Sequence, residues 1–146
     1  MRVSRARGFI ARQCPEVTAR RAKILLVTLA ATFLVMRASM GLRPDADFNV
    51  FGYNVHHLFT GLLIVTACGI PLVLGFGRGR AGDYLTAGFG IGLSLSLDEW
   101  VYLIATDGSN RSYLLPVSFW GGVAVVGLAV IYTGLLARSR LADKDH

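Results

Sequence analysis

Charge is scarce in this sequence: Asp, Glu, Lys and Arg make up 16% of its 146 residues, against about 25% in ordinary soluble domains. So few charges cannot clothe a water-facing surface of this size, which argues against a soluble globule. Cysteine is almost as rare, with Cys14 in the basic head and Cys68 in the inner half of an apolar stretch. Both fall toward the side where thiols stay reduced, so no disulfide is expected. Neither has a Cys or His neighbour at metal-ligand spacing, and Cys68 reads as a small buried hydrophobe. The chain also lacks an H-E-x-x-H run and a clean A-x-A cleavage site. The second absence, with a long basic head, argues against removal of the first apolar stretch as a secretory signal.

What the chain has is apolar length. Four hydrophobic stretches, 24–42, 48–76, 84–106 and 114–137, occupy most of the sequence, and each can cross a bilayer core, which takes about 20 residues of helix. The remainder is a basic head (1–23), three short connections and a tail (138–146). No room is left for a separate soluble catalytic or nucleic-acid-binding domain. Short connections make consecutive helices antiparallel. The expected fold is all-α: a transmembrane four-helix up-down bundle spanning residues 24–137.

The net charge of +6 is informative through its placement. The head carries Arg2, Arg5, Arg7, Arg12, Arg20, Arg21 and Lys23, the second connection Arg78 and Arg80, and the tail Arg138, Arg140 and Lys144. The first and third connections hold only Arg43 and Arg111. Lys and Arg are retained on the cytoplasmic side, so both termini are expected in the cytoplasm and the protein in the plasma membrane of a bacterium, as a multi-pass protein. The head mixes its arginines with Phe9, Ile10 and Val17, a composition suited to an amphipathic helix on the anionic inner leaflet, interrupted at Pro15. Nucleic acid is not an expected partner; membrane lipids are.

Helices in lipid gain little from the hydrophobic effect and associate through small residues. Gly88, Gly92 and Ser96 recur every four residues in the third stretch, Ser118 and Gly122 do so in the fourth, and Gly127 and Gly134 lie seven apart; all are expected at helix contacts. The run Gly88-Phe89-Gly90-Ile91-Gly92 has no preceding strand and is not a nucleotide motif. Asn110-Arg111-Ser112 matches the glycosylation acceptor pattern in a very short loop, an incidental match. Pro71 is expected to kink the second span near its cytoplasmic end.

Titratable residues inside spans are costly and mark candidate sites. Arg37, His56, His57, Asp98 and Glu99 come from three spans yet share one depth, roughly 8 to 13 Å below the outer boundary at 1.5 Å per residue. Neighbours on a helix point about 100° apart, so one member of each pair is expected to lead, with His57 preferred through its face with Gly61. Ser94, Asp98 and Tyr102 make a polar stripe, Tyr53 and Asn54 extend the polar surface outward, and a small polar pocket opening to the outer surface, lined by the first three spans, is expected. Two chemistries fit. In one, His56 or His57 with Asp98 or Glu99 holds zinc, iron or manganese, the second carboxylate acts as general base, and Arg37, Tyr53 and Tyr102 bind an anionic, lipid-like substrate. That would be a metal-assisted hydrolase or transferase. In the other, Arg37 neutralises a carboxylate in a structural network. The chain would then be a non-enzymatic accessory subunit of a larger membrane complex. A third reading is a binding or proton-transfer site in which Arg37 holds an anionic head group or ion and a His and a carboxylate exchange protons, as in a homo-oligomeric ion or solute carrier.

The runs His56-His57-Leu58-Phe59-Thr60-Gly61, Phe89-Gly90-Ile91-Gly92-Leu93 and Leu97-Asp98-Glu99-Trp100 resemble the pattern of an uncharacterised family of small bacterial four-span integral membrane proteins. The resemblance covers the second and third spans and implies the four-span architecture, with no activity to carry over.

Overall fold

The computed structural model describes residues 15–42, 49–50, 53–54 and 56–142, with side chains described for 19–42, 56–109 and 112–139. In chain order the elements are α1 (Pro15–Leu42), strands β1 (Asn49–Val50) and β2 (Tyr53–Asn54), α2 (His57–Val73), α3 (Gly79–Ala105), the single turn α4 (Asn110–Tyr113) and α5 (Pro116–Ala142). The described chain is thus all-α apart from one antiparallel ladder that pairs Asn49 with Asn54 and Val50 with Tyr53. Cys14 and most of the basic head lie outside the described residues.

Proline opens two of the long helices, Pro15 in α1 and Pro116 in α5. Its locked φ suits the first helical position, where its missing N–H costs nothing. Pro15 begins the described helix, which continues into the first apolar stretch; the part of the expected head helix before Pro15 lies outside the described residues. Pro71 stands in the last turn of α2, two residues before the end. There Gly75, at φ +80°, donates to the Leu72 carbonyl at 3.2 Å while Phe76 donates to that of Pro71 at 3.0 Å. This 6→1 and 5→2 pairing terminates the helix on its glycine.

The second apolar stretch departs from expectation. Residues 48–76 were expected as one span, yet α2 covers only His57–Val73, 17 residues, and the β ladder precedes it. Asn49, Gly52 and Asn54 disfavour helix, and the interleaved Val50, Phe51 and Tyr53 suit extended backbone; an apolar average over the stretch conceals this break. Among the described residues, the four helices longer than a single turn include two, α1 and α5, that are long and apolar enough to cross a membrane, through Ala19–Leu42 and Pro116–Ser139.

Helix α3 is the hub. It packs along α2, α1 and α5, and α1 also packs on α5. Its contacts use small residues. A Cβ at Gly61 would stand 2.5 Å from the Gly92 carbonyl oxygen, and one at Gly92 would stand 2.7 Å from that of Gly61, so the backbones of α2 and α3 touch at this crossing. Gly88 faces the Cys68 thiol, and Gly90 faces Thr28 of α1. Ser94 donates to the Leu29 carbonyl at 2.9 Å and Ser96 to that of Leu58 at 3.3 Å. On α5, Gly122 lies against Arg37, Asp98 and Phe33, but Gly127 and Gly134 have nothing within 4 Å. Among the described residues, the last two meet no neighbouring helix, contrary to expectation.

Burial is inverted relative to a water-soluble bundle. Thr86, Ser94, Ser96, Asp98, Glu99, Ser112 and Ser118 are buried, whereas Leu34, Val35, Leu63, Leu128, Ile131 and Leu135 are exposed. Small and polar groups share the interior with Leu29, Phe33, Leu95, Tyr102, Tyr113 and Val126, and large aliphatic ones dominate the perimeter.

Candidate functional site

The site is built on the C-terminal half of α3, where Asp98 is 0% and Glu99 3% exposed. Adjacent on one helix and pointing in different directions, the two acids address different neighbours. Asp98 faces α1 and α5. Its Oδ1 accepts from Arg37 Nε at 2.7 Å, and Arg37 Nη2 lies 2.6 Å from the same oxygen. Its Oδ2 accepts from the Tyr113 hydroxyl. Glu99 faces α2, where its Oε2 accepts the backbone N–H of Leu58 at 2.7 Å.

That last bond explains why α2 begins where it does. Residue His56 is the N-cap, at φ −59° and ψ 138°, with no side-chain capping bond of its own. The first N–H groups of a helix lack intrahelical acceptors and carry the positive end of its dipole. Glu99 supplies the acceptor from another helix. The histidines flank it: His56 Nδ1 lies 3.3 Å and His57 Nδ1 3.1 Å from Glu99 Oε1. The other nitrogen of His57, Nε2, lies 3.4 Å from Asp98 Oδ2. A histidine ring donates from both nitrogens only as imidazolium; in that form His57 would join the two carboxylates, and with Arg37 it would balance their charge.

Arg37 is spent on protein groups. Besides Asp98 it donates from Nη1 to the Tyr113 carbonyl and to Ser118 Oγ, each at 3.2 Å. From Nη2 it donates to the Ser118 carbonyl at 3.0 Å. Its planar guanidinium also lies over the Tyr113 ring, 4.3 Å from the centroid, a cation–π contact that strengthens as water is excluded. Tyr102 is buried edge-to-face on Tyr113, at 5.3 Å between centroids, and 5.9 Å from His56.

The structure therefore brings together five expected residues, Arg37, His56, His57, Asp98 and Glu99, and corrects how they do it. Both members of each pair take part. The helical-wheel argument for one leader fails because His56 lies outside the helix and because α3 has neighbours on several sides. The His57 face does carry Gly61, as expected, and there the close crossing of α2 on α3 occurs. Tyr102 is a buried packing group. Tyr53 has its backbone in β2, and its side chain lies outside the described residues. Reading the sequence missed Tyr113, a connection residue one helix turn before the last span, and missed that Ser118 hydrogen-bonds Arg37. The only signal was their position level with Arg37 and Asp98 across the third connection. Ser112, in the glycosylation-like triplet, is buried and bonds Ser109 and Thr106.

The expected zinc, iron or manganese is not supported: among the described residues no group of three or more His, Cys, Asp and Glu side chains could hold a metal ion. The reason is visible in the bonds above. Both Asp98 oxygens and Glu99 Oε2 accept from protein donors, Glu99 Oε1 lies against the two histidine rings, and a guanidinium already supplies the positive charge a cation would bring. No family model, curated protein or solved structure matches the chain, so the four-span resemblance of its second and third apolar stretches and its function rest on its own residues.

Proposed function

We propose that this protein is a multi-pass plasma-membrane protein with four membrane-embedded helices in up-down order, both termini cytoplasmic, that acts without catalysis as a small accessory subunit of a larger membrane complex. Contact order along the helices supports the topology. From Thr28 beside Gly90 to Leu29 with Ser94 and Arg37 with Asp98, α1 and α3 advance together. From Leu58 with Glu99 to Gly61 with Gly92 and Cys68 with Gly88, α2 runs against α3. Ser118 near the start of α5 meets Arg37 near the end of α1. The apolar perimeter supports the membrane, and exposed Trp100 and Trp120 at one end with Tyr84 and Tyr132 at the other resemble the aromatic belts of spanning helices.

One observation carries the non-catalytic reading: the polar cluster is filled by its own residues. Arg37 bonds Asp98, Tyr113 and Ser118, and the two acids are 0% and 3% exposed. A buried ion pair of this kind sets helix register. Of the sequence readings, the structural one fits this geometry best. The test is a double-mutant cycle on Arg37→Ala and Asp98→Ala, following unfolding of the purified full-length protein in detergent. A structural clamp gives strongly non-additive losses; additive losses would overturn it. Resistance of the wild-type chain to alkaline extraction from membranes tests the membrane reading separately.

A further inference from the structure

A second polar cluster lies at the opposite end of the bundle. From α1, Arg20 Nη2 reaches Asp83 Oδ2 of α3 at 2.6 Å, and Arg21 Nε stands 3.9 Å from Asp83 Oδ1. Arg21 also donates from Nη2 to the Gly77 carbonyl in the loop before α3, and Gly82, lacking a Cβ, leaves room for its guanidinium. These contacts draw the first turns of α1 onto the start of α3, so that Arg20, Arg21, Lys23, Arg78 and Arg80 share one end. Asp83 is the one acid among them with a described side chain, and no acid stands in the first turn of α3. The Arg21 Nε and Asp83 Oδ1 atoms are buried without a hydrogen-bond partner. Those two atoms face each other at 3.9 Å, while among the described side chains Arg20, Lys23 and Arg80 are exposed.

Next to these cations the surface is apolar: Val73, Leu74, Phe76 and Tyr84 are exposed. A phosphate group fits the arginines, whose planar forks match its oxygens, and hydrocarbon fits the neighbouring surface. We infer that this end of the bundle, where Arg20, Lys23 and Arg80 are exposed and Arg21 is held against Asp83, binds the headgroup phosphate of an anionic phospholipid, with the acyl chains lying against Val73, Leu74 and Phe76. The inference rests on the membrane reading above. It goes beyond the general attraction of basic residues to the inner leaflet, because two of the arginines are pinned to α3 and the loop.

The experiment uses the full-length protein purified in nonionic detergent, with bound lipid counted by native mass spectrometry. The probes are phosphatidylglycerol, phosphatidylcholine and inorganic phosphate. Phosphatidylglycerol is expected to bind in preference to phosphatidylcholine, and millimolar phosphate should leave it in place. Each of Arg20→Gln, Lys23→Gln and Arg80→Gln should weaken binding about fivefold, the factor equivalent to one basic residue near an anionic surface. Arg138→Gln, at the same end but on α5, should change it little. Asp83→Asn works in the opposite sense: it frees Arg20 and Arg21 from their carboxylate and should tighten binding, so the inference stays testable should an arginine variant fail to fold. Equal binding of the two lipids, displacement by phosphate, an Arg138→Gln loss equal to that of Arg20→Gln, or weaker binding by Asp83→Asn would each overturn it. Extraction of the wild-type chain from membranes by alkali would break the membrane reading, whereas lost lipid selectivity in a chain that resists extraction breaks the site alone.

Discussion

Two Arg–Asp pairs tie α1 to α3, one at each end of the bundle, and they have the same length. Arg37 and Asp98 approach to 2.6 Å with side chains 10% and 1% exposed; Arg20 and Asp83 also approach to 2.6 Å, at 55% and 18%. Distance does not distinguish them; surroundings do. At the end that the proposed topology places outward, Tyr113, Ser118 and His57 complete the hydrogen bonding of both partners, and neither charge has water to fall back on. At the end it places inward, Arg20 is half exposed and Asp83 is shared with Arg21. The first pair holds the helices in register, whereas the second leaves positive charge available to something outside the chain.

The largest expected effect breaks this contrast at the buried pair. Removing Arg37 leaves Asp98 buried and unpaired, which costs about 3–5 kcal/mol, so Arg37→Ala should unfold in detergent at much lower denaturant than wild type. Combined with Asp98→Ala it should recover part of that loss. Arg37→Ala as mild as an Arg20 variant would erase the distinction between the two ends.

The next effect tests the crossing between them. A methyl at Gly92 meets the Gly61 carbonyl at 2.7 Å and the Val65 amide nitrogen at 2.8 Å, backbone atoms with little freedom to yield. Gly92→Ala is expected to cost about 1–3 kcal/mol. Gly127→Ala meets nothing within 4 Å and should stabilise its helix by up to about 1 kcal/mol, the difference in propensity. Comparison of the two variants in one unfolding assay reads packing directly. A similar loss from both would mean that Gly127 is in contact after all.

Much of this was legible in the sequence, and the exceptions have physical causes. The helical class, the importance of Gly88, Gly92 and Ser96, and the meeting of Arg37 with Asp98 and a histidine all follow from apolar length, small-residue spacing and shared depth. The start of α2 did not follow, because apolar content cannot separate a helix from a short ladder of Asn49, Val50, Tyr53 and Asn54. Nor did the capping of α2 by Glu99, which joins a side chain to a backbone amide 41 positions away; spacing rules see only side chains. Tyr113 was missed because a tyrosine in a connection has no periodicity to betray it.

Glu99→Gln sharpens the outer end further. The amide oxygen can still accept from Leu58, but the negative charge facing the α2 N-terminus and the histidines is gone, at an expected cost of about 1–2 kcal/mol. Hydrogen exchange should show the first turn of α2 opening more often while the last turn is unchanged. Equal change at both ends of α2 would mean that Glu99 acts on the whole bundle and not as a cap. At the inner end Arg20→Gln should shift stability by no more than about 1 kcal/mol, and that shift should vanish in high salt.

The smallest expected effect concerns the connection that delivers Tyr113 to the clamp. Asp107 lies in this turn, after which Gly108 takes φ +73°. Its carboxylate accepts from the Ser109 amide at 3.0 Å and the Ser109 hydroxyl at 2.9 Å. The Ser112 hydroxyl, followed by these Ser109 groups, holds the Asp107 carboxyl below the usual carboxylate range. A lowered folded-state pKa means that the charged form is favoured in the folded turn. The contribution is therefore complete above the ordinary carboxylate pKa and is lost as pH falls through the lowered one. Acid should loosen the 106–113 connection, read as faster amide exchange at Ser109 and Ser112, before it affects the middle of α3. Asp107→Asn should remove that pH dependence and leave the Arg37–Asp98 clamp intact. If the variant keeps the same acid response, the titrating group belongs to the buried cluster, and the outer end is less insulated from solvent than the contrast between the two Arg–Asp pairs requires.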